Sequence, residues 1–61
     1  MPIVNLKVAG TLTPEQKAEL VKRFTQDLVE VANKPPEYCF VVIEEVSRED
    51  WGLAGKLLSE G

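Results

Sequence analysis

The chain has 61 residues, 44% of them hydrophobic and 28% charged, with a net charge of −3. That length admits one small domain over residues 1–61, and seven scattered cations against ten acids disfavour a nucleic-acid or anionic-membrane partner. The single cysteine, Cys39, excludes an intrachain disulfide framework, and without a histidine a structural zinc site has no ligand set.

Ile3 to Val8 is β-branched and alternating, which predicts a strand with Val4, Leu6 and Val8 on one face and Ile3, Asn5 and Lys7 on the other. Gly10 ends it. Thr13-Pro14-Glu15-Gln16 then reads as a helix start: Thr13 as N-cap, Pro14 at the first helical position, Gln16 reaching back as capping-box partner. From there Lys17, Leu20, Val21, Phe24, Leu28, Val31 and Ala32 recur at three- and four-residue steps and form one largely apolar stripe. Asn33 suits the C-terminus, and Pro35-Pro36 forbids continuation.

Tyr38 to Val46 predicts a second strand, apolar on both faces until Glu44 and Glu45. Ser47-Arg48-Glu49-Asp50 is a polar turn in which Arg48 has acidic neighbours to pair with. The glycine spacing of Trp51-Gly52-Leu53-Ala54-Gly55 predicts a tight hairpin before a short terminal piece. No apolar run approaches the roughly 20 residues of a membrane-spanning helix, and no charged-then-apolar leader is present. A cytoplasmic location without membrane partners is the expectation.

Strand, helix and strand make one βαβ unit with a parallel pair, an α+β subunit closed by a short C-terminal hairpin. Parallel sheets are covered on both faces, and two strands are not stable alone. One helix covers one face, so the doubly apolar second strand predicts that another subunit covers the other. Scaling laws agree: folding buries about 60% of a chain this size, worth on the order of 90 kcal/mol. Ordering the residues costs about the same at ~1.5 kcal/mol each, and oligomerisation is the staple left.

Catalytic residue types are scarce. No histidine-based triad, P-loop or dinucleotide motif is present, and Glu44 and Glu45 are adjacent on a strand, facing opposite ways. Pro2 stands out. If Met1 is removed, Pro2 becomes a secondary amine at the chain start; with Met1 attached, its nitrogen is an amide without a basic lone pair. An α-amino group titrates at about 7.7–8.0 in the peptide reference, and desolvation lowers it further. Such an amine acts as a base near neutral pH without a histidine.

The opening M-P-I-V-N-L-K-V, then T-P-E-Q-K, F-V-V-I-E-E-V and W-G-L-A-G, resembles the 4-oxalocrotonate tautomerase family, gap-free from Pro2 to about Leu57. The resemblance implies a tautomerase-like fold whose β-α-β subunits pair into four-stranded sheets and assemble as homohexamers, trimers of dimers. It implies an isomerase needing no cofactor and no metal, in which Pro2 is catalytic and shuttles a proton of a small-molecule substrate between enol and keto forms. It also implies that Trp51 walls the substrate pocket.

Two positions depart from the family pattern. Where family prototypes carry the arginines that bind a dicarboxylate, this chain has Leu12 and Phe40. Neither pairs a carboxylate, and lost bidentate contacts typically cost several kcal/mol. A more apolar pocket follows, suited to an aromatic or monocarboxylic enol, with Arg48 as a replacement cation. Lys7 is a weaker candidate, since it lies on the strand face opposite Pro2. The plainer roles of these residues are packing for Phe40 and Trp51, an interface cap for Tyr38 and an inert thiol for Cys39. The alternative function is a non-catalytic, oligomeric small-molecule-binding member of the fold. A hydratase or dehalogenase activity would need the missing arginines and a water-activating carboxylate.

Overall fold

The computed structural model describes residues 1–60. Strand β1 spans Ile3–Ala9 and pairs in parallel with β2, Phe40–Val46, across helix α1, Pro14–Ala32. The alternation read in β1 holds: Val4, Leu6 and Val8 are half-buried, while Ile3, Asn5 and Lys7 are exposed. The register sets Val4 beside Val41 and Leu6 beside Ile43 on the helix-covered face, and Ile3 beside Phe40 and Asn5 beside Val42 on the other.

The helix starts as its sequence dictates. Thr13 Oγ1 accepts the Gln16 N–H at 3.1 Å, and Gln16 Oε1 accepts the Thr13 N–H at 2.9 Å. Two otherwise orphaned donors are thereby satisfied. At the other end Asn33 takes the left-handed conformation (φ 56°), and the Lys34 N–H donates to the Leu28 carbonyl at 3.2 Å, satisfying one of the last helix carbonyls.

Two expectations need correction. The second strand begins at Phe40 rather than Tyr38, because Pro36–Tyr38 forms a 3₁₀ turn. There the Tyr38 and Cys39 N–H groups donate to the Pro35 and Pro36 carbonyls, so they are unavailable to the ladder. The helical stripe also differs. Lys17, Leu20, Phe24 and Leu28 are half-buried, joined by Thr25 and Val29, but Val31 is 86% exposed. The 19-residue helix is about 28 Å long and the seven-residue strand about 23 Å, so the last turn overhangs the sheet.

Strands β3, Gly52–Leu53, and β4, Lys56–Leu57, form the expected antiparallel hairpin. Its two loop residues, Ala54 (φ 55°) and Gly55 (φ 83°), both lie at positive φ, as a type I′ turn requires. Among the described residues none is fully buried. The accessible surface is 4831 Å², against about 4,000 Å² for a compact chain of this mass. The molecule is a slab 42 × 24 × 14 Å, one helix thick on one sheet. Its uncovered sheet face carries Ile3, Phe40 and Val42 at 65%, 45% and 43% exposure. That face supplies the unfilled half of a core, and the expectation of a covering subunit rests on it.

Candidate active site

Because β1 and β2 are parallel, both strands begin at one end of the slab and finish at the other. Pro2 lies at the starting end, half-buried, with its carbonyl accepting the Phe40 N–H at 3.0 Å. The proline thus sits beside the first residue of β2, at the end of a rigid ladder. Met1 before it is 82% exposed and takes part in none of the hydrogen bonds among the described residues.

The other candidates lie at the finishing end, about 23 Å away along β1. Leu12 follows β1, and Arg48 and Trp51 follow β2. Three cavities open there. Leu12 walls one of about 270 Å³ against Leu20 and Arg23 on α1. Arg48 lines a cleft of about 500 Å³ with Thr11, Ser47 and Ser59. Trp51 lines one of about 310 Å³ with Lys7, Glu44 and Asp50. Pro2 lines none of the three. Within one subunit, then, the candidates lie at two ends: Pro2 with Phe40 at one, and Leu12, Arg48 and Trp51 at the other, each lining a cavity of its own.

Local bonding fixes the second end. Ser47 Oγ accepts the Glu49 N–H at 3.2 Å, capping the turn Arg48–Asp50. The Trp51 carbonyl accepts the Leu58 N–H at 2.9 Å, tying the indole-bearing residue to the end of the hairpin. Trp51 Nε1 is buried without a hydrogen-bond partner. The acidic pairing expected for Arg48 does not form: the two ion pairs among the described residues are Lys17–Glu45 and Glu19–Arg23. Arg48 makes no ion pair within 4 Å among the described residues, although Glu45 and Glu49 line the same cleft.

Glu45 is the residue that sequence reasoning passed over. Its Oε1 meets Lys17 Nζ at 2.6 Å, and its Oε2 accepts the Leu12 N–H at 3.0 Å. The hydrogen bond from Lys17, then that from the Leu12 N–H, holds its carboxyl below the ordinary carboxylate range. The signal was present in strand parity, since Glu45 shares the helix-facing side with Val41 and Ile43, opposite a lysine one turn into the helix.

Comparison with known proteins gives the family and the fold. Residues 2–61 match the family model described as tautomerase enzyme. A probable tautomerase of Halalkalibacterium halodurans is 40% identical over 60 residues, covering 98% of each chain. The 2-hydroxymuconate tautomerase of Bacillus subtilis is 37% identical over 60 residues, again covering 98% of both. The fold matches the crystal structure of YwhB, a homologue of 4-oxalocrotonate tautomerase, with a TM-score of 0.93, 35% identity and 98% of each chain covered. With a family model spanning nearly its whole length and relatives of equal size, the chain belongs to the 4-oxalocrotonate tautomerase family of isomerases.

Proposed function

We propose that the protein is a cofactor-independent enol–keto tautomerase in which Pro2, freed by loss of Met1, is the general base and acid. The observation that carries this reading is the place of Pro2. It heads a strand whose ladder pins its carbonyl, and the exposed Met1 before it can leave without removing a recorded hydrogen bond. A base on such an element is held in geometry by the fold itself.

In the reaction the uncharged amine of Pro2 takes the enol hydroxyl proton. The oxygen electron pair forms the carbonyl while the carbon–carbon π pair shifts to the neighbouring carbon. The protonated amine returns its proton to that carbon. Atoms and electrons balance without a cofactor.

The working site needs more than one subunit. Pro2 sits at one end of a chain and Leu12, Arg48 and Trp51 at the other, and an antiparallel neighbour brings one end against the other. The uncovered face of Ile3, Phe40 and Val42 supports the same association, and the homohexamer implied by the resemblance satisfies both. With Leu12 and Phe40 apolar and Arg48 the cation, the favoured substrate is an apolar or monocarboxylic 2-oxo/enol acid rather than a diacid.

The test is ketonisation of phenylpyruvate enol, followed by ultraviolet absorbance, with protein shown by intact mass to lack Met1. Catalysis above buffer that disappears when Met1 is retained is the expected result. Tight binding of small aromatic acids without any ketonisation by the processed chain would overturn it and leave a non-catalytic binding protein.

A further inference from the structure

We infer that Glu45 is a positioning residue for the substrate pocket: its carboxylate fixes Leu12, and through Leu12 it sets the apolar wall that selects the substrate. This rests on the tautomerase reading above and adds to it a specificity-determining residue outside the contact set.

The loop from Gly10 to Thr13 joins β1 to α1. Its N–H groups are almost all committed. Gly10 donates to the Val46 carbonyl at 3.0 Å, Leu12 to Glu45 Oε2 at 3.0 Å, and Thr13 to Gln16 Oε1 at 2.9 Å. The bonds of Gly10 and Thr13 belong to the sheet and the helix cap, elements that form without the pocket. The bond of Leu12 has no such second purpose, and it reaches 33 residues along the chain. Glu45 is the one side chain holding the middle of the loop.

The second oxygen of the same carboxylate pairs with Lys17, one turn into α1. One side chain therefore joins the end of β2, the loop and the start of the helix. Glu45 also lines the cleft of Arg48, while Leu12, bonded to its Oε2, walls a separate cavity, so one side chain touches both features. Its placement sets the spacing of those two groups, to which an acid with an apolar body is matched. Displacing groups that only bind the substrate raises KM and leaves kcat nearly unchanged.

The double oxygen commitment makes a discriminating experiment available. Glu45→Ala removes both bonds. Glu45→Gln leaves one oxygen, for which Lys17 and the Leu12 N–H compete. In Lys17→Met/Glu45→Gln that competition is gone and the amide oxygen is left to Leu12. All variants are made in the Met1-free, assembled protein and assayed with phenylpyruvate enol. Protection of the Leu12 amide from hydrogen exchange is read in parallel by NMR.

Glu45→Ala should raise KM roughly tenfold with kcat within about twofold, and should deprotect the Leu12 amide. The double variant should recover most of both. A merely structural role would lower thermal stability in every Glu45 variant without a KM-against-kcat split, and that result overturns the inference. An unprotected Leu12 amide in the parent protein overturns it whatever the activity. If Leu12 is protected and the parent is active, but KM does not move in Glu45→Ala, the inference fails and the tautomerase reading stands. A parent inactive on every enol tested sinks the tautomerase reading, and the inference with it.

Discussion

The Phe40 N–H donates to the Pro2 carbonyl at 3.0 Å, so the residue that heads β1 is bound to the residue that heads β2. Phe40 contributes its backbone to hold the proline and its ring to the uncovered sheet face. Anchoring and apolar surface thus come from one residue.

Glu45 makes the protein sensitive to acid in a stated direction. Its carboxyl is held low by the Lys17 hydrogen bond first and the Leu12 N–H second. An unfolded glutamate titrates at about 4.3, so on acidification the unfolded chain binds the proton first. The contribution of Glu45 is complete above about pH 5 and fades as pH falls through the lower folded value. Leu12 amide protection, followed by NMR from pH 7 to pH 3, should stay flat through about pH 4.3 and drop only below it. A protection curve that declines between pH 8 and pH 6 would contradict the assignment.

Trp51→Phe separates ring from donor. The indole Nε1 is buried without a partner in the subunit, and an unsatisfied buried donor is unfavourable by about 1–3 kcal/mol. Phenylalanine keeps most of the apolar ring and drops the N–H. Chemical denaturation at fixed protomer concentration should show stability unchanged or raised by up to about 1 kcal/mol. A loss larger than about 1 kcal/mol would mean that a neighbouring subunit satisfies the indole in the assembly.

Ala54→Asn addresses the hairpin. Alanine at φ 55° is in the left-handed region, where an L-residue with a Cβ is disfavoured by about 1–2 kcal/mol. Asparagine tolerates that region, and Asn-Gly is the preferred pair for a two-residue loop of this type. The substitution should stabilise the protein by about 0.5 kcal/mol or more, read as a higher denaturation midpoint with unchanged slope.

Val42→Lys tests the uncovered sheet face. Val42 is 43% exposed in the subunit, opposite Asn5 and beside the exposed ring of Phe40. A lysine there places a charge at the centre of the surface that must be covered. Light scattering should report dissociation, and far-ultraviolet circular dichroism should fall with it, because a subunit with no fully buried residue among those described has little to keep it folded. A folded, monodisperse monomer would show that the slab is stable alone.

The local elements were legible because their signals are short-range. The capping box of Thr13 and Gln16, the proline at the first helical position, Asn33 at the C-terminus and the hairpin at Ala54-Gly55 are each decided within a few residues, and each formed as read. The errors arose where length or competition mattered. The Pro35-Pro36 turn took the donors of Tyr38 and Cys39 from β2, and the shortened strand left Val31 beyond the sheet.

Sequence by itself determined the β-α-β order and the parallel pairing, since hydrophobic periodicity and capping chemistry are written in adjacent residues. Only the tertiary structure decided that Pro2 and Phe40 lie at one end while Leu12, Arg48 and Trp51 lie at the other, and that Glu45 reaches Leu12. Those facts depend on strand direction and on which side chain crosses from β2 to the loop. Contacts between residues 33 positions apart are set by packing, which no local pattern encodes.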